Sequence, residues 1–238
     1  MGPRSHKKGN SPGPFFITSP EKISSCQAPA KYPYWKKLQA HEEVSMSAHV
    51  PSREDAVKLL HEYTKTDNLQ KHAYAVEAVM RYMARKAGED EEKWGVIGLV
   101  HDLDYEMYPD QHCIKTREIL EQRGWPEEYI RAVVSHGWGI CSDVEPQTRL
   151  EKTLYAIDEL TGLVAASALV RPSKSVLDLN TKSVMKKWKS PAFAAGVDRS
   201  IITRGAEMLG VEVASLIEDT IMGMREAAEQ IGLKGEGQ

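Results

Sequence analysis

From Ser52 onward the apolar positions recur at helical spacing, and no segment alternates convincingly enough for a sheet. Ser52, followed three residues later by Asp55, resembles a capping box ahead of the Val57, Leu59, Leu60 run. Asn68 is a candidate cap for a helix of about 69 to 87 that closes at Gly88 and carries Val76, Val79, Met80 and Met83 on one face. A third helix, about 91 to 102, is apolar on all sides from Trp94 to Val100, as expected at the centre of a bundle. Further helices are expected over 111 to 123, 127 to 137 (opened by Pro126), 149 to 170, 180 to 188, 198 to 209 and 212 to 230. The fold class is all-α, a helical bundle with additional C-terminal helices over residues 51 to 238, and no internal repeat is visible.

Residues 1 to 50 differ in kind. They hold six of the twelve prolines and almost no apolar periodicity, which predicts a disordered N-terminal extension. Phe15, Phe16 and Ile17 are too short a patch for a secretory signal, and Met46, just ahead of the first helix-start signal, is an alternative start of translation. The formal charge of -3 divides into +4 for residues 1 to 50 and -7 for the remainder, so the main body offers no general nucleic-acid footprint. No run approaches the ~20 apolar residues of a membrane span. Cys26, Cys113 and Cys141 are far apart in sequence, odd in number and free of CxxC spacing, which points to neither a disulfide framework nor a cysteine zinc site and suits a reducing cytoplasm.

The polar residues on inward stripes carry the chemistry. His72 shares a face with Val76, Val79 and Met83; His101 and Asp102 end the apolar third helix; His136 follows Ala132, Val133 and Tyr129 on a core-facing stripe. His112 begins the helix after Pro109 and Asp110. Asp158 lies on one stripe with Leu154, Thr161 and Ala165, where a lone carboxylate costs several kcal/mol, roughly, unless a cation compensates it. Singly, each has a plain structural reading: a bonded core histidine, a helix-end cap, the partner of a buried arginine. Together, neutral imidazoles and carboxylates suit a divalent transition ion, Mn, Fe, Zn or Co, and the lack of nearby cysteine disfavours a structural zinc centre.

The ordered set His72, His101-Asp102, His112, His136, Asp158 on consecutive helices resembles the HD superfamily of metal-dependent phosphohydrolases over about residues 52 to 170. The stretches Val100 to Glu106, Ala156 to Gly162 and Val170 to Lys174 are similar to stand-alone bacterial HD-domain proteins described only as predicted hydrolases. The resemblance implies a primary metal site of His72, His101, Asp102 and Asp158, extended to two metals by His112 and His136, with Asp102 bridging. It implies attack on a small phosphate ester, such as a nucleotide, by a metal-activated water. Tyr105 stands where the HDIGK phosphodiesterases have Lys and the alarmone hydrolases an acid, and the GYP signature of the cyclic-di-GMP enzymes is missing, so those activities are not implied.

Asp104 and Glu106 are candidates for general acid/base work, and Lys115, Arg171 and Lys174 for holding phosphate. Trp138, between two glycines, is a candidate pocket wall. Two other functions share these ligands: a di-iron oxygenase of the same superfamily, and a non-catalytic binding or regulatory module stabilised by its metal.

Overall fold

The computed structural model describes residues 50–235. The expectations for a disordered extension and for Met46 fall on residues 1–49, outside the described residues. Among those described, nine α-helices run in order: α1 Arg53–Tyr63, α2 Asp67–Ala87, α3 Glu91–Leu99, α4 Ile114–Gln122, α5 Glu127–Ser135, α6 Arg149–Leu169, α7 Thr181–Trp188, α8 Arg199–Leu209 and α9 Val213–Glu226. No helix among them is long and apolar enough to cross a membrane.

Local chemistry explains most of the boundaries. Ser52 and Asp55 bond each other's backbone N–H groups in a full capping box, and Thr148 with Glu151 does the same for α6. Gly88, at φ 71°, closes α2 in the left-handed conformation that glycine adopts without a Cβ penalty. The helix start expected at Asn68 falls earlier: Thr66 is the N-cap, and Asn68 lies inside the first turn.

α6 is the axis of the fold, buried on nearly every side and packed by α2, α5, α7, α8 and α9. It can be apolar all round because other helices surround it. α2 lies between α3 and α9 and also contacts α6. Two glycines permit the closest crossings. A Cβ at Gly205 would stand 2.7 Å from the Ala156 Cα, and one at Gly223 2.7 Å from the Val79 Cα, so α8 and α9 approach backbone to backbone.

Beside the polar cluster two expected helices end early and a third begins late. α3 stops at Leu99; Val100 turns away with its N–H on the Ile97 carbonyl, and His101 and Asp102 lie in the turns that follow. The helix expected from 111 begins only at Ile114. Before it come a 3-10 turn, Pro109–Gln111, and Cys113 at φ 67°, a conformation a non-glycine residue takes only when its surroundings impose it. α5 ends at Ser135, leaving His136 as its C-cap. The last helix also stops early, at Glu226, and continues as turns.

Candidate metal centre

The ends of α3 and α5, the turn before α4, the second turn of α2 and the middle of α6 meet at one place. His72, from the solvent-shielded face of α2, points its Nε2 at the Asp158 Oδ1 of α6 (3.0 Å). His101 Nε2 lies 3.3 Å from that oxygen, 3.3 Å from the His72 Nε2 and 3.4 Å from Asp102 Oδ2. The other oxygen of Asp102 serves a different pair: Oδ1 is 3.3 Å from His136 Nε2 and 3.5 Å from His112 Nε2, which are 3.2 Å apart. Two donor groups result, His72/His101/Asp102/Asp158 and Asp102/His112/His136, each with its ligand atoms within 4.8 Å of one another.

These spacings fit a metal. Atoms held ~2.0–2.2 Å from a shared ion stand about 3.0 Å apart at adjacent octahedral corners and about 3.4 Å apart at tetrahedral ones. The outward ring nitrogens complete the fit, because each is occupied by a protein acceptor that turns Nε2 inward as a lone pair. His101 Nδ1 donates to the Gly98 carbonyl (2.8 Å), His136 Nδ1 to that of Val133 (2.5 Å) and His112 Nδ1 to Asp104 Oδ1 (2.7 Å). Thr161 donates its hydroxyl proton to the Asp158 carbonyl, so its oxygen accepts the longer 3.4 Å bond from His72 Nδ1.

The electrostatics carry the same message. Burial opposes charge on His101, which is wholly enclosed, yet the Asp102 and Asp158 carboxylates outweigh burial and hold its pKa well above the ordinary value. His112 is likewise resisted by burial but raised to about 9 by its bond to Asp104 and by Asp102. Burial would raise Asp102 and Asp158, and the neighbouring imidazoles instead pull both below the usual carboxylate range. The protein has built a buried field that attracts positive charge. Protons answer it in part; a divalent ion answers it fully.

Other candidates have different occupations. Asp104 is fully buried; its oxygens accept from His112 Nδ1 and the Thr116 N–H (2.8 Å), so it orients a histidine from behind instead of facing the cluster as an acid or base. Glu106 ties down the α1–α2 connection, accepting from the Lys65 N–H, the Thr66 N–H and the Thr66 hydroxyl. Its expected catalytic role gives way to this structural one. The Lys115 ammonium sits on Glu118 (2.6 Å) and over the Tyr108 ring.

Arg171 is bound to Asp178 (2.8 Å), and the Lys174 backbone N–H donates to the Arg171 carbonyl in the turn after α6. Since Asp158 and Leu169 are eleven residues apart on one helix, that turn lies ~16 Å from the cluster at 1.5 Å per residue. This exceeds the reach of a lysine or arginine side chain, so Arg171 and Lys174 do not hold a phosphate at the cluster. Arg171 borders instead a cleft of about 510 Å³ at the far end of α6, with Lys186, Lys187 and Phe193.

The thiols also depart from expectation. Cys113 and Cys141, 28 positions apart in sequence, bring their sulfurs to 3.0 Å beside His112. Cysteine is therefore near the centre after all. Both ring nitrogens of His112 are already directed elsewhere, which leaves the thiols adjacent to the donor groups. The hydrogen bond from Cys113 lowers the Cys141 thiol and raises its own. Glu159 went unnoticed in the sequence. Burial, then the charges of Asp158 and Asp198, push it up to about 8, and it accepts from the Asp198 N–H (3.1 Å).

Residues 69–163 match the family model of the HD domain, a span that runs from just before His72 to just past Asp158. That stretch of the chain is similar to the HD domain. No curated protein and no solved structure matches it. The matched span contains all six histidine and aspartate donors, so the similarity covers the centre, while α7, α8 and α9 are additions that pack around α6.

Proposed function

We propose that this protein is a metal-dependent phosphohydrolase that cleaves a small phosphate ester, such as a nucleotide, at a binuclear centre held by His72, His101, Asp102, His112, His136 and Asp158. One observation carries the reading: the two oxygens of Asp102 face separate histidine pairs, as a carboxylate shared by two ions does. Two divalent ions there would supply Lewis-acid polarisation of a phosphoryl oxygen and a water acidic enough to act as nucleophile near neutral pH.

The chain's own residues supply the rest. Asp104, Thr161 and the carbonyls of Gly98 and Val133 lock the four imidazoles in one tautomer each, so the donors need little reorganisation when ions bind. His101 and His136 form the dry floor, at 0% and 4% exposure. Asp102 and Asp158 remain partly open, so substrate approaches from the carboxylate side. Mn, Fe, Zn and Co all suit this nitrogen and oxygen set. The donor set excludes no oxygen-using di-iron chemistry, and a metal-stabilised binding module would share it too. We place the protein in a reducing cytoplasm, acting on a small phosphorylated molecule and not on nucleic acid or a membrane.

The test is metal content after anaerobic purification, followed by a screen of phosphate esters with each metal. About two ions per chain and phosphate release are expected. Iron with oxygen consumption and no phosphate release would overturn the proposal in favour of the oxygenase. A melting temperature lowered by His101→Ala, with no turnover in any assay, would leave only a structural metal.

A further inference from the structure

α8 crosses α6 closely at Gly205, and Arg204, next to it, lies over Trp138 and Tyr155, two residues that neighbour metal donors in sequence. Its Nη1 donates to the Tyr155 hydroxyl (3.3 Å), and its guanidinium carbon lies 5.5 Å from the centroid of the Trp138 ring, which packs against Tyr155. Both supports adjoin donors. Trp138 is two residues past His136, and Tyr155 lies three residues before Asp158 on α6, ~4.5 Å along the axis. The start of α8 is pinned beside a donor as well, because the Asp198 N–H donates to Glu159, the neighbour of Asp158.

Arg204 differs from most other arginines of the chain. Arg53, Arg81, Arg85, Arg131 and Arg171 each bond a carboxylate, whereas Arg204 forms no ion pair among the described residues. Asp198, the N-cap of α8, bonds the Ser200 N–H and hydroxyl (2.8 and 2.7 Å) and feels the charge of Arg204 without forming an ion pair with it. Arg204 is exposed, rests over an aromatic face, and has used one of five N–H donors. A planar fork held in this way is preorganised for two parallel bonds to phosphate oxygens. Gly139, at φ 78° and exposed beside it, keeps the approach low: even a Cβ there would stand 3.6 Å from Nη1.

We propose that Arg204, seated on Trp138 and Tyr155, is the residue that receives the phosphate of a phosphate monoester at the metal centre, a role the sequence-based expectation gave to Lys115, Arg171 and Lys174. This rests on the phosphohydrolase reading for its substrate, though not for the anion site itself. The test uses the full metal-loaded chain, inorganic phosphate as the equilibrium probe and 4-nitrophenyl phosphate as the kinetic one. Arg204→Met is expected to weaken phosphate binding and raise KM at least 10-fold with a smaller change in kcat. Arg204→Lys should recover part of the loss, and Arg171→Met should change neither.

Phosphate affinity within twofold of wild type in Arg204→Met, or none in wild type, would overturn the inference. Arg204-dependent phosphate binding with no ester turned over would uphold the anion site and sink the hydrolase reading. Turnover with an unchanged KM in Arg204→Met would do the reverse. A circular-dichroism melt of each variant guards against misfolding, and Arg204→Lys keeps the question open to measurement if the methionine variant unfolds.

Discussion

The two halves of the metal centre are built by different means. The half formed by His72, Asp158 and His101 draws two donors from inside 21-residue helices, His72 from the second turn of α2 and Asp158 from the middle of α6, where helical backbone on both sides fixes the side-chain direction. The half formed by His112 and His136 draws its donors from a turn and a helix cap, and next to it stands Cys113 in a left-handed conformation. Helix interiors hold a ligand through cooperative structure, whereas turns need individual contacts to hold one. The second half should therefore be the one that single substitutions release separately.

Asp102 belongs to both halves, so Asp102→Ala should have the largest effect: loss of both ions, with metal affinity down ~100-fold or more, since even the groups behind a ligand are worth 10- to 100-fold. Retention of one tightly bound ion, by equilibrium dialysis, would break the bridging assignment. Asp104→Asn should come next. Deprived of its carboxylate, His112 loses its orientation, and the second ion should bind ~10- to 100-fold more weakly while the first stays. Equal loss of both ions would erase the contrast between the halves.

Gly137→Ala probes the second half by packing alone. Its Cβ would meet both sulfurs, Cys113 and Cys141, at 2.5 Å, and a destabilisation of about 1–3 kcal/mol is expected in a chemical melt. The smallest effect concerns pH in metal-free protein. Glu159 has a folded pKa of about 8 against an ordinary 4.5, so its protonated form favours the fold. That contribution is present below pH ~4.5, fades as pH rises through the folded value and is gone above it. Glu159→Gln should flatten this slope, by a few degrees in melting temperature between about pH 5 and 8. Identical slopes in wild type and variant would remove Glu159 from the buried field.

Much of the centre was legible in the chain because helical periodicity turns sequence spacing into direction. His72 and Asp158 could be placed on inward stripes without coordinates, and the cost of burying an unpaired carboxylate made Asp158 conspicuous. Other residues were misplaced for an identifiable reason. Glu106 and Asp104 stand beside the His101-Asp102 pair in sequence, but once α3 ends at Leu99 the following turns send their carboxylates to backbone N–H groups and to His112. Arg171 and Lys174 follow the Asp158 helix in sequence, and the length of that helix carries them away.

By itself the sequence determined the all-α class, most helix limits through their caps and glycines, and the histidines and aspartates able to bind metal, because these depend on neighbours within one or two turns. Only the tertiary structure decided that Asp102 faces two histidine pairs, that two cysteines 28 positions apart touch, and that Arg204 lies over Trp138. Those relations arise where helices cross, at contacts such as Gly205 on Ala156, and local periodicity does not encode which helix will lie opposite.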